Sequence, residues 1–191
     1  MIYGTVLCLG DSLTYGARSE HQRGFPEELS LMLSTRFGQD WSCLNEGISG
    51  QTSTDILRRC FSAARAAGGL PGAKLATLMA GTNDSKNPRY PIDLYKDNMV
   101  QMLRIYRRFG LKAFLGTLPP VQPAVMPCFS SASNEWIARA NEAIEELATG
   151  EGVILVDFRD MGDYLVDGVH FGHDGYKEMA RRFAEAILHQ Q

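Results

Sequence analysis

The sequence contains a serine, a histidine and an aspartate in segments that suit nucleophilic catalysis. Ser12 lies near the start of the chain, and Asp167 precedes His170 by three residues near its end. A serine hydroxyl needs an adjacent base to react at neutral pH, and histidine is the usual base. A carboxylate that binds the other side of the imidazole ring orients it. We therefore predict Ser12 as nucleophile, His170 as its base and Asp167 as the residue that orients the base.

A second group of residues could stabilise the negative charge that develops on a carbonyl oxygen during acyl transfer. The candidate donors are the backbone N–H groups of Ser12 and Gly50 and the side-chain amide of Asn83. Glycine at position 50 lets the main chain approach a substrate closely. An amide is a neutral donor, and deleting such a donor in other enzymes costs roughly 10²–10³ in turnover. We predict that Ser12, Gly50 and Asn83 form an oxyanion hole.

Strands and helices must bring these residues together, and the hydrophobic pattern predicts which segments form them. Short apolar strands alternate with amphipathic helices, which predicts an α/β fold with a five-stranded parallel sheet and helices on both faces. The predicted strands cover residues 5–9, 41–45, 74–79, 111–115 and 153–156, and the predicted helices cover 26–37, 52–68, 91–109, 133–148 and 175–188. In open α/β sheets, ligands bind beyond the carboxyl ends of the strands. The polar segments follow predicted strands, so they should gather at that edge.

The composition limits the classes of protein and partner. A chain of 191 residues predicts a single domain over 1–191, and a net charge of -3 gives no basic excess for binding nucleic acid. No apolar run is long enough to span a bilayer, and the N-terminus, which lacks a signal-peptide pattern, reads as the first strand. The four cysteines form no C-x-x-C pair, so we expect reduced thiols, no zinc site and a cytoplasmic protein.

Four segments together resemble the GDSL lipase/esterase family, also called SGNH hydrolases. They are Gly-Asp-Ser-Leu at 10–13, the turn at 47–52 with Gly50, Gly-Thr-Asn-Asp at 81–84, and Asp167-x-x-His170. The resemblance implies a flavodoxin-like three-layer α/β/α fold, a catalytic triad of Ser12, His170 and Asp167, and oxyanion donors at Ser12, Gly50 and Asn83. It implies hydrolysis of a small-molecule ester or thioester without a cofactor.

Two other functions fit parts of the same sequence. Asp167, His170 and His173 could hold a metal ion in a phosphoesterase, although the glycine and amide segments would then have no role. A non-catalytic α/β binding module would not need the serine, histidine and aspartate together. A nucleotide site lacks its phosphate-binding glycine motif after the first strand. His173 fits better as the start of the last helix.

Other residues bear on the substrate. The proline-rich segment 118–129 offers an apolar wall through Val121, Val125, Met126 and Phe129, and Val169 and Phe171 flank the predicted base. A single domain of this length has little chain to spare for a long lipid tunnel, so we predict short to medium acyl groups. Lys86 and Arg89 could attract an anionic leaving group or could be solvated loop charges. The composition leaves the oligomeric state open, a homo-oligomer included.

Overall fold

The computed structural model describes residues 2–20 and 23–190 and has the predicted three-layer α/β/α architecture. Its parallel sheet has five strands in the order β2-β1-β3-β4-β5, which is the flavodoxin-like order. The strands are β1 Ile2–Gly10, β2 Asp40–Gly47, β3 Ala73–Met79, β4 Lys112–Gly116 and β5 Ile154–Val156. The helices are α1 Ser12–Tyr15, α2 Phe25–Phe37, α3 Ser53–Gly68, α4 Ile92–Arg108, α5 Ser131–Glu151 and α6 His173–Leu188.

The central strand β1 shows why the fold has three layers. It pairs with β2 on one side and β3 on the other, and its side chains alternate between the two faces of the sheet. Leu7 and Leu9 pack with α3, α4 and α5, whereas Val6 and Cys8 pack with α2 and α6. All four side chains are buried. The continuous apolar run of β1 therefore supplies both hydrophobic cores.

Local signals in the sequence set most helix ends. Thr52 caps α3 and exchanges hydrogen bonds with Asp55, in a capping box. Helix α5 is longer than predicted at both ends, because Ser130 begins it with another capping box and Gly152 ends it in the left-handed region. Helix α6 begins at His173, as the interpretation of that residue anticipated.

Two glycines let α1 sit against the ends of the strands. Strand β1 ends at Gly10 and α1 begins at Ser12, with Asp11 as the N-cap residue between them. A Cβ atom at Gly10 would lie 2.1 Å from Thr14 Oγ1, and one at Gly47 would lie 2.1 Å from the backbone nitrogen of Tyr15. A side chain at either position would displace α1. The short helix is thus held against the carboxyl edge of β1 and β2.

No helix within residues 2–20 and 23–190 has the length and apolar character that crossing a membrane requires.

Candidate active site

The fold brings together the three residues that were predicted to catalyse acyl transfer. His170 Nε2 lies 2.9 Å from Ser12 Oγ, across 158 positions of sequence. His170 Nδ1 lies 2.8 Å from Asp167 Oδ2. Ser12 is separated from the end of β1 by one residue, Asp11, and Asp167 and His170 belong to the loop before α6. The chain of hydrogen bonds matches what a base needs to accept a serine proton while its other ring nitrogen is held.

A tight turn orients the Asp167 carboxylate. Its Oδ1 accepts hydrogen bonds from the backbone N–H groups of Val169 at 3.2 Å and His170 at 2.8 Å. Arg18 Nε donates to Oδ2 at 3.1 Å. Partial burial raises the pKa of Asp167, but the hydrogen bonds and electrostatic attraction of His170, together with the hydrogen bond from Val169, outweigh burial and bring the pKa down to about 2. The carboxylate is therefore ionised throughout the neutral range.

The predicted oxyanion donors line the same cavity as Ser12 and His170. Gly50 has φ +83° in the turn after β2, a conformation that favours glycine. Asn83 precedes the 3₁₀ turn Asp84–Lys86, and its Nδ2 donates to Gln51 O at 3.0 Å and Asp11 Oδ2 at 3.3 Å. The cavity has a volume of about 430 Å³. It is lined by Ser12, Tyr15, Gly16, Ala17, Arg18, Ser49, Gly50, Asn83, Lys86, Met126, Cys128, Phe129, Val169 and His170.

The GDSL-like lipase/acylhydrolase family matches residues 8–178 of the chain, which include all four polar segments. The chain belongs to this family. Membership makes it a carboxylic ester hydrolase. No curated protein matches it.

Solved structures resemble this GDSL-like hydrolase over nearly their whole length. An aryl esterase of M. smegmatis has a TM-score of 0.80 at 21% identity, with 97% of this chain and 99% of that chain covered. A lipase/acylhydrolase from Enterococcus faecalis has a TM-score of 0.79 at 19% identity, covering 98% and 96%. Est24, a carbohydrate acetylesterase from Sinorhizobium meliloti, has a TM-score of 0.79 at 19% identity, covering 98% and 100%. These likenesses establish the fold.

Two buried carboxylates, Asp11 and Asp84, hold loops of the GDSL-like hydrolase in place. Asp11 Oδ1 accepts from the backbone N–H of Leu13 at 3.0 Å. Asp84 accepts from the backbone N–H of Ser53 at 2.8 Å and from its hydroxyl at 2.6 Å, which joins the Asn83 loop to the start of α3. Burial raises the pKa of Asp11 to about 7 and also raises that of Asp84.

Arg59 supports the site, although no pattern in the sequence identified it as a site residue. Its Nη2 donates to the carbonyl oxygens of Gly10 and Glu46, each at 2.8 Å, and its Nε donates to Gln51 Oε1 at 2.6 Å. The guanidinium on α3 therefore joins the end of β1, the end of β2 and the loop that carries Gly50. Its main acceptors are backbone carbonyls, which every residue has, so no sequence signal could have found it.

The apolar wall is only partly as predicted. Met126, Phe129 and Val169 line the cavity. Val121, in contrast, is buried in the core with α5, and Val125 is exposed.

Phe171 was predicted to flank the base, and that prediction is wrong. Its ring is fully buried in the core beneath α6, where it makes an edge-to-face contact with Tyr176. A ring packed there has no surface left for the cavity.

Lys86, Arg89 and His173 do not share one site. Lys86 lines the cavity, whereas Arg89 is absent from its lining. His173 borders a different cavity, together with Asp163 and Asp174. Among the residues that the structure describes, no three histidine, cysteine, aspartate or glutamate side chains cluster as metal ligands would. The geometry thus gives the phosphoesterase alternative no shared site for Asp167, His170 and His173.

Proposed function

We propose that this GDSL-like hydrolase cleaves esters or thioesters through an acyl-enzyme on Ser12. The observation that carries the proposal is the 2.9 Å contact between Ser12 Oγ and His170 Nε2 inside a cavity that Gly50 and Asn83 also line. A nucleophile bound to its base, beside donors for an oxyanion, is the arrangement that acyl transfer requires.

In the first step, Ser12 Oγ attacks the carbonyl carbon of the ester and His170 Nε2 accepts its proton. The new C–O bond forms while the electrons of the carbonyl double bond move onto the carbonyl oxygen. Asp167 binds Nδ1–H, which leaves Nε2 free to act as the base and stabilises the imidazolium that results. Because its pKa is about 2, Asp167 remains an anion during this step.

The developing oxyanion is bound by three donors. Ser12 is the first residue of α1, and the first N–H groups of a helix have no partner within it. Gly50 adds a second backbone N–H and Asn83 adds its side-chain amide. The Asn83 contact with Asp11, at 3.3 Å, is longer than its contact with Gln51, at 3.0 Å. We expect the oxyanion to share or replace the longer one.

The intermediate collapses when the bond to the leaving group breaks and His170 gives its proton to the departing oxygen or sulfur. A water molecule then loses a proton to His170 and attacks the acyl carbonyl carbon. The second collapse releases the carboxylic acid and returns the proton to Ser12 Oγ. His170 thus serves as base and acid in turn.

The cavity favours short to medium acyl groups. Its volume of about 430 Å³ lies near the lower end for ligand pockets, and Met126, Phe129 and Val169 give it an apolar wall. Two proteins of the same fold are an aryl esterase and a carbohydrate acetylesterase. Aryl acetates and acetylated sugars are therefore the first substrates to test.

The test is intact mass after treatment with a fluorophosphonate probe, combined with ester hydrolysis. We expect one adduct on the wild type and on Ser49→Ala, a control serine that lines the same cavity. Ser12→Ala should carry no adduct and should lose at least about 10³-fold in kcat. Hydrolysis of 4-nitrophenyl acetate and butyrate should exceed that of the dodecanoate, with or without a chelator. A Ser12→Ala protein that keeps the adduct or the activity would contradict the proposal.

A further inference from the structure

The cavity differs in charge from the chain as a whole. The chain carries 22 acidic and 19 basic side chains, for a net charge of -3. The cavity lining, within the described residues, includes Arg18 and Lys86 but no aspartate or glutamate. The cavity lining is therefore positively charged, although the chain as a whole is negatively charged. A cavity lined by one sign of charge concentrates ligands of the other sign.

Lys86 is the first of these cations. It ends the 3₁₀ turn that follows Asn83, and its ammonium lies 5.4 Å from the centre of the Phe129 ring. That contact holds the ammonium against the cavity wall through the face of the ring, which leaves its N–H donors available. No carboxylate in the described part of the chain forms an ion pair with it. Lys86 therefore brings a positive charge to the cavity without a direct ion pair, and it lies close enough to the buried Asp11 to lower the pKa of that carboxyl.

Arg18 is the second cation. It has φ 66°, and among the described residues it is the one non-glycine residue in the left-handed region. The surrounding fold must hold such a conformation in place. Its Nε binds Asp167 Oδ2, while the side chain is 66% exposed and lines the cavity. Arginine has five N–H donors, so the others remain to bind a ligand.

Arg18 differs from Lys86 because an acidic residue, Asp167, forms an ion pair with it. Asp167 lies outside the cavity lining but partly compensates the charge of Arg18 through their ion pair at 3.1 Å. Lys86 contacts the Phe129 ring and interacts with the buried Asp11 without forming an ion pair. A ligand anion would therefore gain more from Lys86 than from Arg18.

We infer that the natural substrate is an ester with an anionic group, a carboxylate or a phosphate, that Lys86 and Arg18 bind. The inference rests on the proposed serine chemistry and adds the substrate class. Both cations are exposed, so each should contribute only about two- to fivefold to kcat/KM. The contribution should fall with salt, since the Debye length shrinks from about 10 Å at 0.1 M to about 3 Å at 1 M.

The test compares anionic esters with neutral esters of the same shape. For the leaving group, 3-acetoxybenzoate and 3-acetoxyphenyl phosphate are compared with 3-acetoxybenzamide. For the acyl group, the 4-nitrophenyl monoester of adipic acid is compared with its monoamide. The quantity is the ratio of kcat/KM for the anionic ester to that for the neutral one, after subtraction of spontaneous hydrolysis. The pairs distinguish carboxylate from phosphate, and acyl from leaving group.

Three variants show which cation changes the ratio of kcat/KM values. Lys86→Met removes the charge but keeps a long apolar side chain against Phe129, and Arg18→Asn keeps a residue that tolerates the left-handed region. Arg89→Met removes a cation from the same loop but outside the cavity lining. We expect Lys86→Met to lower the ratio about two- to fivefold in at least one pair. Arg18→Asn should lower it less, and Arg89→Met should leave it unchanged.

Two results would overturn the inference, and they are distinguishable. If all variants keep the wild-type ratio in every pair while neutral esters are still hydrolysed in a Ser12-dependent manner, the cations have no part in recognition and only the substrate class is wrong. If no ester is hydrolysed in a Ser12-dependent manner, the proposed serine chemistry fails and the substrate class with it.

Discussion

The Asn83 side chain joins the buried supports of the site to the cavity that Ser12 and His170 line. Both hydrogens of its amide have acceptors within the protein, the Gln51 carbonyl and the Asp11 carboxylate. These contacts fix the plane of the amide before a substrate arrives. A donor fixed in advance needs little reorganisation when the carbonyl oxygen becomes charged, and here only the longer contact with Asp11 has to be shared or replaced. Asn83 is also almost completely buried, so water competes little for it.

Replacing Asn83 should slow the reaction more than it weakens binding. We expect Asn83→Ala to lower kcat about 10²–10³-fold with a much smaller change in KM, because the donor acts mainly in the transition state. Steady-state kinetics with an aryl acetate measures both quantities. Asn87→Ala is the matched control, since Asn87 lies outside the cavity lining. A loss confined to KM would indicate that Asn83 binds the ground state instead.

Helix α3 supports the site from behind the sheet edge. It begins at the capped residue after the Gly50 turn, and its second turn carries Arg59. The guanidinium binds the last residue of β1 and the end of β2, so it fixes the two segments that lead to Ser12 and Gly50. The position of Ser12, the proposed nucleophile, relative to Gly50, a proposed oxyanion donor, therefore depends on a side chain that lies outside the cavity lining.

Replacing Arg59 should reduce turnover. We expect Arg59→Met to lower kcat about tenfold or more, because small displacements of catalytic groups are costly. It should also lower the free energy of unfolding by about 1–3 kcal/mol, since carbonyl groups lose their partner. Arg58→Met is the control, because Arg58 lies next to it on α3 and pairs with the half-exposed Asp55 rather than with the ends of the strands. Kinetics well below the melting temperature separates the two effects. Equal kcat in both variants would exclude a positioning role for Arg59.

The buried Asp11 should make the stability of the whole protein depend on pH. Burial raises the pKa of this carboxyl from 3.8 to about 7 in the folded state. Between these values the folded protein binds more protons than the unfolded chain, so its stability falls as the pH rises through that window. Asp157, Asp167 and Glu178 have pKa values lowered to about 2, so their stabilisation is lost only under more acidic conditions.

Removing the titratable group should flatten this pH dependence. We expect the melting temperature of the wild type to fall between pH 5 and pH 8 by more than that of Asp11→Asn. The difference corresponds to a few kcal/mol, on the order of 1.4 kcal/mol for each unit of pKa shift. Calorimetry of both proteins across this range measures it, with Asp93→Asn as an exposed control. Equal slopes would show that Asp11 titrates alike in the folded and unfolded chains.

The sequence by itself determined the features that depend on near neighbours along the chain. Alternating strands and helices, the capping box at Thr52 and the turn that joins Asp167 to His170 each follow from residues a few positions apart. The order of a parallel α/β sheet then places the ends of its strands at one edge. Ser12, Gly50, Asn83 and His170 could therefore be assigned to one site before their distances were known.

Only the tertiary structure decided which side chains face the cavity. Phe171 is next to His170 in sequence, yet its ring belongs to the core beneath α6. Lys86 and Arg89 share a loop, yet only Lys86 lines the cavity. Arg59 binds Gly10 from a distance of 49 positions. These outcomes depend on how distant segments pack, and packing is set by the shape and volume of the whole core rather than by the local pattern of residues.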